Sequence, residues 1–241
     1  MLKGKTALVT GSTSGIGLGV ATELARQGAN IVLNGFGDVD GPRSQLQALG
    51  VRVGYHSADM SRPNEIAGMM SYAEREFGGV DVVVNAAGRM ALAPLADLDL
   101  AEFDAIQRTN VRGAFVVAQQ GARRVRGGGS IVVFSTSVLG LAFPGYSAYA
   151  ASKGAVEALP LILARELRGR DVTVNTVAPG PTDTPLFTEG KPQELIDRVA
   201  AANPFERLGT PDDIARSVSF LAGPDGRWIN GQTLYANGGA A

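Results

Sequence analysis

Tyr149 and Lys153 are the side chains of this sequence best suited to acid–base chemistry. Residues four apart share one face of a helix, so a helix through this segment points the phenol and the ammonium into one cleft. A free phenol has a pKa of about 10, and a nearby cation favours the phenolate. Just upstream, Ser135, Thr136 and Ser137 follow a short apolar run, and one of these hydroxyls can hydrogen-bond a substrate oxygen. Together these residues predict a site that moves a proton to or from a bound oxygen atom.

A glycine-rich turn is the second signal. The chain has 32 glycines in 241 residues, about twice the roughly 7% of an average protein. Three of them lie in Gly11-Ser12-Thr13-Ser14-Gly15-Ile16-Gly17, between a predicted strand and a predicted helix. Gly11 suits the tight turn, while Gly15 and Gly17 leave room for a pyrophosphate that faces the amides of the helix start. The spacing differs from a Walker loop and no G-K-[ST] follows, which argues against a nucleoside triphosphatase.

The composition excludes several classes of protein. With 22 basic and 23 acidic residues the net charge is −1, which argues against a nucleic-acid or membrane-surface binder. The chain has no cysteine and a single histidine, His56, which excludes disulfides, thiolate nucleophiles and multi-histidine metal sites. Neither a secretory signal nor an apolar run long enough to span a membrane is visible. We therefore expect a cytoplasmic protein with no metal, no nucleic-acid partner and no membrane partner.

Short apolar runs alternate with longer amphipathic segments along the chain. The short runs predict buried strands at Thr6–Thr10, Asn30–Leu33, Val51–His56, Val80–Val84, Ser130–Phe134, Val172–Thr176 and Thr233–Ala236. Helical spacing occurs at Ile16–Gln27, Arg43–Leu49, Asn64–Phe77, Ala101–Arg124, Ala148–Arg168 and Pro211–Leu221, the last with Thr210 as N-cap. Such alternation predicts an α/β, doubly wound, Rossmann-like fold, with about seven parallel strands and helices on both faces of the sheet. We expect one domain over residues 1–241, with its ligand beyond the carboxyl ends of the strands.

A series of motifs in order resembles the short-chain dehydrogenase/reductase family over nearly the whole chain. The matching residues are the turn from Thr10 to Gly17, Asp59, Asn85-Ala86-Ala87-Gly88, Asn110, Ser137, Tyr149 with Lys153, and Pro179-Gly180. The resemblance implies an NAD(P)-dependent oxidoreductase that interconverts a secondary alcohol and a ketone by hydride transfer.

The same resemblance implies a role for each site residue. Tyr149 would be the general acid/base, and Ser137 would position and polarise the carbonyl or alcohol. Lys153 would hold the nicotinamide ribose and lower the pKa of Tyr149, while Asn110 would hold a water that relays protons from Lys153. Asp59 would contact the adenine. The implied cofactor site comprises Gly11, Ser14, Gly15, Ile16, Gly17, Gly35, Phe36, Asp59, Met60, Asn85, Ala86, Ala87, Gly88, Tyr149, Lys153, Pro179, Gly180, Thr182 and Thr184.

Two features depart from the family pattern. Thr136 precedes Tyr149 by the usual family spacing, whereas Ser137 is one position closer to Tyr149 than that spacing. Ser137-Val138-Leu139-Gly140 nevertheless matches the family's S-x-x-G, so we assign the catalytic hydroxyl to Ser137. Pro160, inside the predicted helix that carries Lys153, cannot donate a backbone hydrogen bond and should bend that helix.

The cofactor prediction rests on the charge near the adenine ribose. NAD enzymes usually place an acidic residue there, whereas NADP enzymes place a basic one. Gly35 occupies the acidic position and Phe36 the basic one, and Ser12, Thr13 and Ser14 include no cation. The stretch Asn34–Asp38 resembles that of NAD-dependent 3-hydroxybutyrate dehydrogenases. We therefore favour NAD, with NADP still possible.

The expected substrate site is mostly apolar. We expect it to be lined by Ser137, Tyr149, Met90, Leu139, Phe143, Tyr146 and Phe187, under a mobile segment at about 185–205. This lining suits a ketone or secondary alcohol. Arg89 and Lys191 are the nearest cations, and both are better interpreted as surface charges.

The sequence leaves two alternative functions open. One alternative within the enzyme class is a 3-oxoacyl-carrier-protein reductase, and another, outside it, is a catalytically silent dinucleotide-sensing module. The presence of both Tyr149 and Lys153 favours an enzyme.

The family resemblance implies a homotetramer packed through the outer faces of helices 101–124 and 148–168. The residues suggested for that face are Phe115, Val116, Val156, Leu159 and Leu163.

Overall fold

A computed structural model describes residues 2–241, which contain one seven-stranded parallel sheet. The strands are β1 (Thr6–Thr10), β2 (Asn30–Leu33), β3 (Val53–Tyr55), β4 (Val80–Asn85), β5 (Val125–Phe134), β6 (Thr173–Pro179) and β7 (Thr233–Ala236). Their spatial order is β3-β2-β1-β4-β5-β6-β7. Strand connections therefore run in one direction from β1 and in the other from β4, which confirms the predicted doubly wound, Rossmann-like fold.

Helices cover both faces of this sheet. Their bounds are α1 (Gly15–Arg26), α2 (Asp40–Gln47), α3 (Pro63–Phe77), α4 (Leu100–Ile106), α5 (Gly113–Arg124), α6 (Val138–Leu141), α7 (Ser147–Glu157), α8 (Leu159–Glu166), α9 (Pro185–Thr188), α10 (Gln193–Ala201) and α11 (Pro211–Ala222). On one face α1 and α11 bury Leu24 and Val218 against the sheet. On the other, α3 and α5 bury Met69 and Val117. No helix within residues 2–241 has both the length and the apolar character needed to cross a membrane.

Most predicted elements form, with differences at their ends. The third strand shrinks to Val53–Tyr55, and β5 begins at Val125 because the glycines before Ser130 continue the strand across a register shift against β4. The predicted helix at 148–168 divides at Ala158, as expected from Pro160. Segment 185–205 contains two helices, α9 and α10, that sequence periodicity did not indicate.

Asp81 joins the amino-terminal ends of three strands. Its carboxylate accepts the Thr6 amide at 2.8 Å, forms a two-point ion pair with Arg126, and lies 3.3 Å from Lys5 Nζ. Burial acts to raise the pKa of Asp81, but the hydrogen bonds from Arg126 and Thr6 outweigh it, so this pKa lies below its usual value. The ion pair therefore anchors β1 and β5 to β4 at the end of the sheet opposite the predicted site.

Asp81→Asn should destabilise the fold. We expect the free energy of unfolding at pH 7 to fall by about 1–3 kcal/mol, because Arg126 loses its buried partner while remaining partly hydrated. The stabilisation by a carboxyl with a lowered pKa is present above its unfolded pKa and is lost on acidification. The difference between wild type and variant should therefore shrink as the pH falls below about 4. Urea denaturation across pH measures both effects. Glu74→Gln, which removes only the half-exposed Arg124 ion pair, is the control and should cost less than about 1 kcal/mol; equal losses in the two variants would contradict the anchoring role.

Candidate active site

The glycine turn joins β1 to α1 by close backbone packing. Gly11 has φ +60°, and a Cβ there would lie 2.7 Å from Ala87 Cα. At Gly17 a Cβ would lie 2.1 Å from the Gly11 carbonyl oxygen. Gly17 is therefore needed for packing inside the turn, and its contact with a pyrophosphate stays a prediction. At Gly15, with φ +52°, a Cβ would meet only the Thr184 side chain at ordinary contact distance.

An open groove of about 550 Å³ begins at this turn and follows the carboxyl ends of β1, β2 and β4. Predicted cofactor residues that line it are Gly11, Ser14, Gly15, Ile16, Gly17, Gly35, Phe36, Asp59, Met60, Ala86, Ala87, Gly88 and Thr184. The groove is also lined by residues outside the predicted cofactor set, namely Thr13, Asn34, Ala58, Thr109, Pro185, Leu186 and Glu189. Asn85 does not line it, because its side chain accepts a hydrogen bond from Thr10 at 2.9 Å inside the sheet. The volume of the groove and its glycine-rich start fit a dinucleotide.

Asp59 lies in the groove near the end of β3. Its carboxylate accepts the Ser61 amide and hydroxyl, each at 2.8 Å, and lies 3.5 Å from Arg62. Burial acts to raise the pKa of Asp59, but the two bonds from Ser61 and the charge of Arg62 lower it overall. A charged acceptor is thus fixed where the sequence resemblance places the adenine.

The position predicted for the ribose clamp is filled by Thr13. A Cβ at Gly35 would lie 2.5 Å from Thr13 Oγ1, and that hydroxyl donates to the Phe36 carbonyl at 2.8 Å. Among residues 2–241 no lysine or arginine lines the groove. Asp38 lies close by in sequence, with its carboxylate bound to the first amides of α2. This end of the groove therefore has no cation that could bind the 2′-phosphate of NADP. It also has no carboxylate facing the position of the adenine ribose.

A second, smaller cavity of about 100 Å³ opens from the groove. The two spaces share Ile16, Ala86, Gly88, Thr184 and Leu186 as walls. The remaining lining of the cavity is Met90, Phe134, Ser135, Thr136, Val138, Tyr146, Tyr149, Lys153, Pro179, Gly180, Pro181, Thr182 and Phe187. A ligand in the groove can thus meet a second molecule in the cavity, beside Tyr149 and Lys153.

Tyr149 and Lys153 project from α7 into this cavity as their spacing predicts. Lys153 Nζ donates to the Phe134 carbonyl at 2.8 Å and lies 5.8 Å from the centre of the Tyr149 ring. Burial lowers the pKa of Lys153 to about 8 and raises the pKa of Tyr149 to about 12. Desolvation is the largest influence on both groups, and the lowering of the Tyr149 pKa by Lys153 stays a prediction.

Asn110 lies in a π-helical segment, Gln107–Arg112, between α4 and α5. Its side chain accepts the Arg89 amide at 2.8 Å and donates to the Arg89 carbonyl and to Ser152, both at 2.9 Å. Asn110 does not line the cavity; it ties the loop after β4 to α7. The water-binding role that the resemblance implies stays a prediction.

The three hydroxyls after β5 have different partners. Ser135 lines the cavity and its hydroxyl donates to the Lys153 carbonyl at 3.3 Å. Ser137, the predicted catalytic serine, is fully buried away from the cavity and its hydroxyl donates to the Ala178 carbonyl at 3.2 Å. Thr136 lines the cavity, where its hydroxyl accepts the Val138 amide at 3.2 Å and acts to lower the pKa of the Tyr149 phenol against the effect of burial. The structure therefore brings Thr136, and not Ser137, to Tyr149.

An aromatic series forms one wall of the cavity. The rings of Phe143, Tyr146 and Tyr149 follow one another, with centres 5.7 Å and 6.5 Å apart. Phe143 stands behind Tyr146 and, like Leu139, does not line the cavity, contrary to the prediction for both. Met90, Tyr146 and Phe187 do line it, as predicted. Leu186 also lines it and was missed, because its helix α9 has too few residues for a periodic pattern.

Both cations that could serve an anionic substrate are engaged elsewhere. Arg89 makes a two-point ion pair with Glu102 at 2.8 Å and 3.0 Å. Lys191 Nζ donates to the Phe187 carbonyl and lies 4.4 Å from the centre of the Phe187 ring. Within residues 2–241, Lys153 is the one charged side chain that lines the cavity. The arrangement fits a neutral substrate with apolar substituents.

His56 takes no part in either space. Its ring packs against Tyr72 with centres 5.5 Å apart, and it lines neither the groove nor the cavity. No cluster of three or more candidate metal-ligating side chains exists within residues 2–241.

Comparison with known proteins gives consistent matches over the whole chain. Residues 11–241 match a family model described as enoyl-(acyl carrier protein) reductase. A short-chain type dehydrogenase/reductase of Picea abies is 39% identical, over 99% of this chain and 93% of its own. A D-beta-hydroxybutyrate dehydrogenase of Cupriavidus necator is 41% identical, over 99% and 98%. The crystal structure of a short chain dehydrogenase from Burkholderia cenocepacia in complex with NADP is 36% identical, over 99% and 98%, with a TM-score of 0.92.

Lys153→Met should make the protein more stable at neutral pH. Lys153 is 5% exposed and its pKa is lowered to about 8, so folding below pH 8 buries an ammonium at a cost. Because the pKa in the folded state lies below the unfolded value of about 10.5, that cost is greatest below pH 8 and disappears as the pH rises toward 10.5. We expect the variant to gain about 1–3 kcal/mol at pH 7, after the lost bond to Phe134 is allowed for.

Urea denaturation from pH 6 to pH 10 measures this gain. Lys3→Met, at an exposed position, is the matched control and should change stability little at any pH. A gain at Lys153 that stays constant with pH would contradict the burial of a charged lysine.

Proposed function

We propose that this chain, which belongs to the short-chain dehydrogenase/reductase family and is an NAD(P)-dependent oxidoreductase, interconverts an uncharged ketone and its secondary alcohol. One observation carries the proposal: the cavity that holds Tyr149 and Lys153 shares its wall with the groove that fits a dinucleotide. A carbonyl in the cavity would then lie between the phenol and the nicotinamide end of a cofactor in the groove.

The chain's own groups suit the transfer of one proton. The nicotinamide, when bound, supplies or accepts the hydride. Burial raises the pKa of Tyr149 to about 12, so its phenol remains protonated at neutral pH and can donate to a carbonyl oxygen. Lys153 Nζ lies 5.8 Å from the centre of the same ring, on the wall of the cavity, and is held by the Phe134 carbonyl. In the reverse direction Tyr149 would take the proton of the alcohol.

The charge of the cavity supports a neutral substrate. A carboxylate placed there would lose its hydration, and Arg89 and Lys191 are both bound elsewhere. We therefore do not assign to this chain the hydroxybutyrate named for its Cupriavidus relative. The small volume of the cavity supports a compact ketone. A larger ketone would require segment 185–205, whose Leu186 and Phe187 line the cavity, to open.

For the cofactor we propose NAD as the preferred dinucleotide, with NADP also accepted. A 2′-phosphate gains most from a nearby lysine or arginine, and none lines the groove within the described residues 2–241. The NADP in the Burkholderia structure supports acceptance of NADP in a related chain. The acidic clamp typical of strict NAD enzymes is missing too, because residue 35 is a glycine and Thr13 fills the space beside it. We therefore expect a modest preference for NAD over NADP.

We also propose a homotetramer. Phe115 on α5 and Leu161 and Ile162 on α8 leave about half of their side chains exposed on the outer faces of the helices that the family resemblance names. Val116 and Val156, suggested earlier for that face, are buried against the sheet instead. The cytoplasmic location stays a prediction.

Turnover tests the proposed reaction directly. The protein should oxidise NADH with neutral ketones that carry alkyl or aryl groups, at kcat/KM at least tenfold above that for acetoacetate. Tyr149→Phe should lower kcat by about 10²–10⁴, the range expected for loss of a general acid. NADH binding, followed by fluorescence, should change little in this variant. Unchanged turnover in Tyr149→Phe would refute the mechanism, and a preference for acetoacetate would refute the neutral cavity.

The same assay with both dinucleotides tests the cofactor preference. We expect NADH to exceed NADPH in kcat/KM by less than about 30-fold, roughly 2 kcal/mol. Gly35→Asp combined with Thr13→Ala should widen this preference, because it restores a carboxylate and removes the methyl and hydroxyl that block it. Gly35→Asp alone should lose cofactor affinity. A wild-type preference for NADPH would overturn the assignment.

Light scattering of the purified protein tests the assembly. We expect the mass of four chains, and dissociation when Phe115→Glu and Ile162→Glu place charges on the outer helix faces. Surface Arg168→Glu is the matched control. A monomeric wild type would contradict the tetramer.

A further inference from the structure

One wall of the substrate cavity is formed by a helix that buries little of its own surface. Helix α9 is a single turn, Pro185–Thr188, and none of the side chains in residues 185–188 or in the following helix, residues 193–201, is buried. A helix this short is not stable by itself, and a segment with few buried contacts opens locally at little cost. Leu186 and Phe187 of α9 nevertheless line the cavity. The shape of this wall therefore depends on the contacts that fix α9 in place.

Lys191 makes two contacts with one residue of that helix. Its Nζ donates to the Phe187 carbonyl, one of the last carbonyls of α9, which lacks a partner inside the helix. The same Nζ lies over the Phe187 ring, 4.4 Å from its centre. A cation within about 6 Å of a ring centre is attracted to the face of the ring. One ammonium group thus fixes both the backbone and the side chain of Phe187.

The surroundings of Lys191 strengthen this contact. Its side chain is partly buried, and burial lowers its pKa below the usual value of a lysine. Within residues 2–241 it forms no ion pair with a carboxylate. A cation that has lost part of its hydration and has no anionic partner is attracted more strongly to an aromatic face. The Phe187 ring and carbonyl are therefore the groups that stabilise the charge of Lys191.

We propose that Lys191 is a positioning residue that sets the size limit for the substrate by holding the Phe187 ring at the wall of the cavity. The proposal rests on the proposed ketone reduction in that cavity. Lys191 lines neither the cavity nor the groove, so it acts through Phe187. With the ring held, the cavity measures about 100 Å³ and admits a compact ketone. A larger ketone enters only after the ring leaves the ammonium.

Two methyl ketones that differ by one phenyl group measure this limit. The ratio of kcat/KM for 2-butanone to kcat/KM for 4-phenyl-2-butanone reports the size preference. We expect Lys191→Met, which keeps the stem and removes the charge, to lower this ratio by about 3- to 30-fold, the range that a cation–π contact supports. The change should lie in KM for 4-phenyl-2-butanone, because the ring no longer has to leave a cation.

Three further variants show whether Lys191 acts through the ring. Lys191→Arg keeps a cation and a donor and should keep the ratio within about threefold of the wild type. Arg198→Met removes an exposed cation from α10 and is the matched control. In a Phe187→Leu background, Lys191→Met should change the ratio by less than about twofold, because there is no ring to hold. An unchanged ratio in Lys191→Met, or the same decrease in the Phe187→Leu background or in Arg198→Met, overturns the proposal.

Hydrogen exchange tests the same contact without turnover. Amides of Phe187, Thr188 and Glu189 donate within α9, and mass spectrometry of this segment should show about 3- to 30-fold faster exchange in Lys191→Met than in the wild type or Arg198→Met. Unchanged exchange overturns the proposal. If the wild type reduces neither ketone, the proposed reaction fails, and the exchange rates still decide whether Lys191 holds α9. If Tyr149→Phe abolishes turnover while Lys191→Met leaves the ratio and the exchange unchanged, the reaction stands and the role of Lys191 fails.

Discussion

The Thr10 hydroxyl joins the two strands at which the sheet reverses its direction of winding. It donates to the Asn85 side chain at 2.9 Å and accepts the Ala87 amide at 3.2 Å, so the ends of β1 and β4 are fixed relative to each other. Gly11 follows at once, and the lack of a side chain there allows the Ala87 backbone to approach. The groove and the cavity both begin at this junction, because a doubly wound sheet leaves its crevice where the connections diverge.

Backbone groups, more than other side chains, hold the polar residues around that crevice. Lys153 is bound by the Phe134 carbonyl, Asn110 by both backbone groups of Arg89, and Ser137 by the Ala178 carbonyl. These bonds join α7, the loop after β4 and the end of β6 to the strand ends, so the cavity is preorganised by the sheet itself. Tyr149 and Thr136 remain with hydroxyls directed to the cavity, which concentrates its acid and donor chemistry in two adjacent groups. Burial without a neighbouring anion gives Tyr149 and Lys153 shifted pKa values that favour their neutral forms.

Local patterns predicted most of the fold and only part of the site. Valine-rich runs gave the strands because buried parallel strands are apolar on both faces, and Pro160 divided its helix as its missing amide requires. The extension of β5 through three glycines was not predictable, because glycine carries no β propensity and the pairing with β4 decides it. Helices α9 and α10 had too little periodicity to be seen. Phe143 and Leu139 were expected in the cavity from their apolar character, yet packing against neighbouring residues, which a sequence does not specify, turned them away from it.

The sequence by itself determined the glycine turn and the shared helix face of Tyr149 and Lys153, because both depend on the geometry of a few consecutive residues. It also determined the absence of cysteine and the alternating order of strands and helices. Which of Thr136 and Ser137 faces Tyr149 was decided only by the tertiary structure. The two residues are adjacent and chemically alike. The Ser137 hydroxyl is bound by the Ala178 carbonyl of β6, about forty residues away in sequence, whereas Thr136 lines the cavity. Long-range hydrogen bonds of this kind depend on strand pairing, and the sequence near the site does not contain that information.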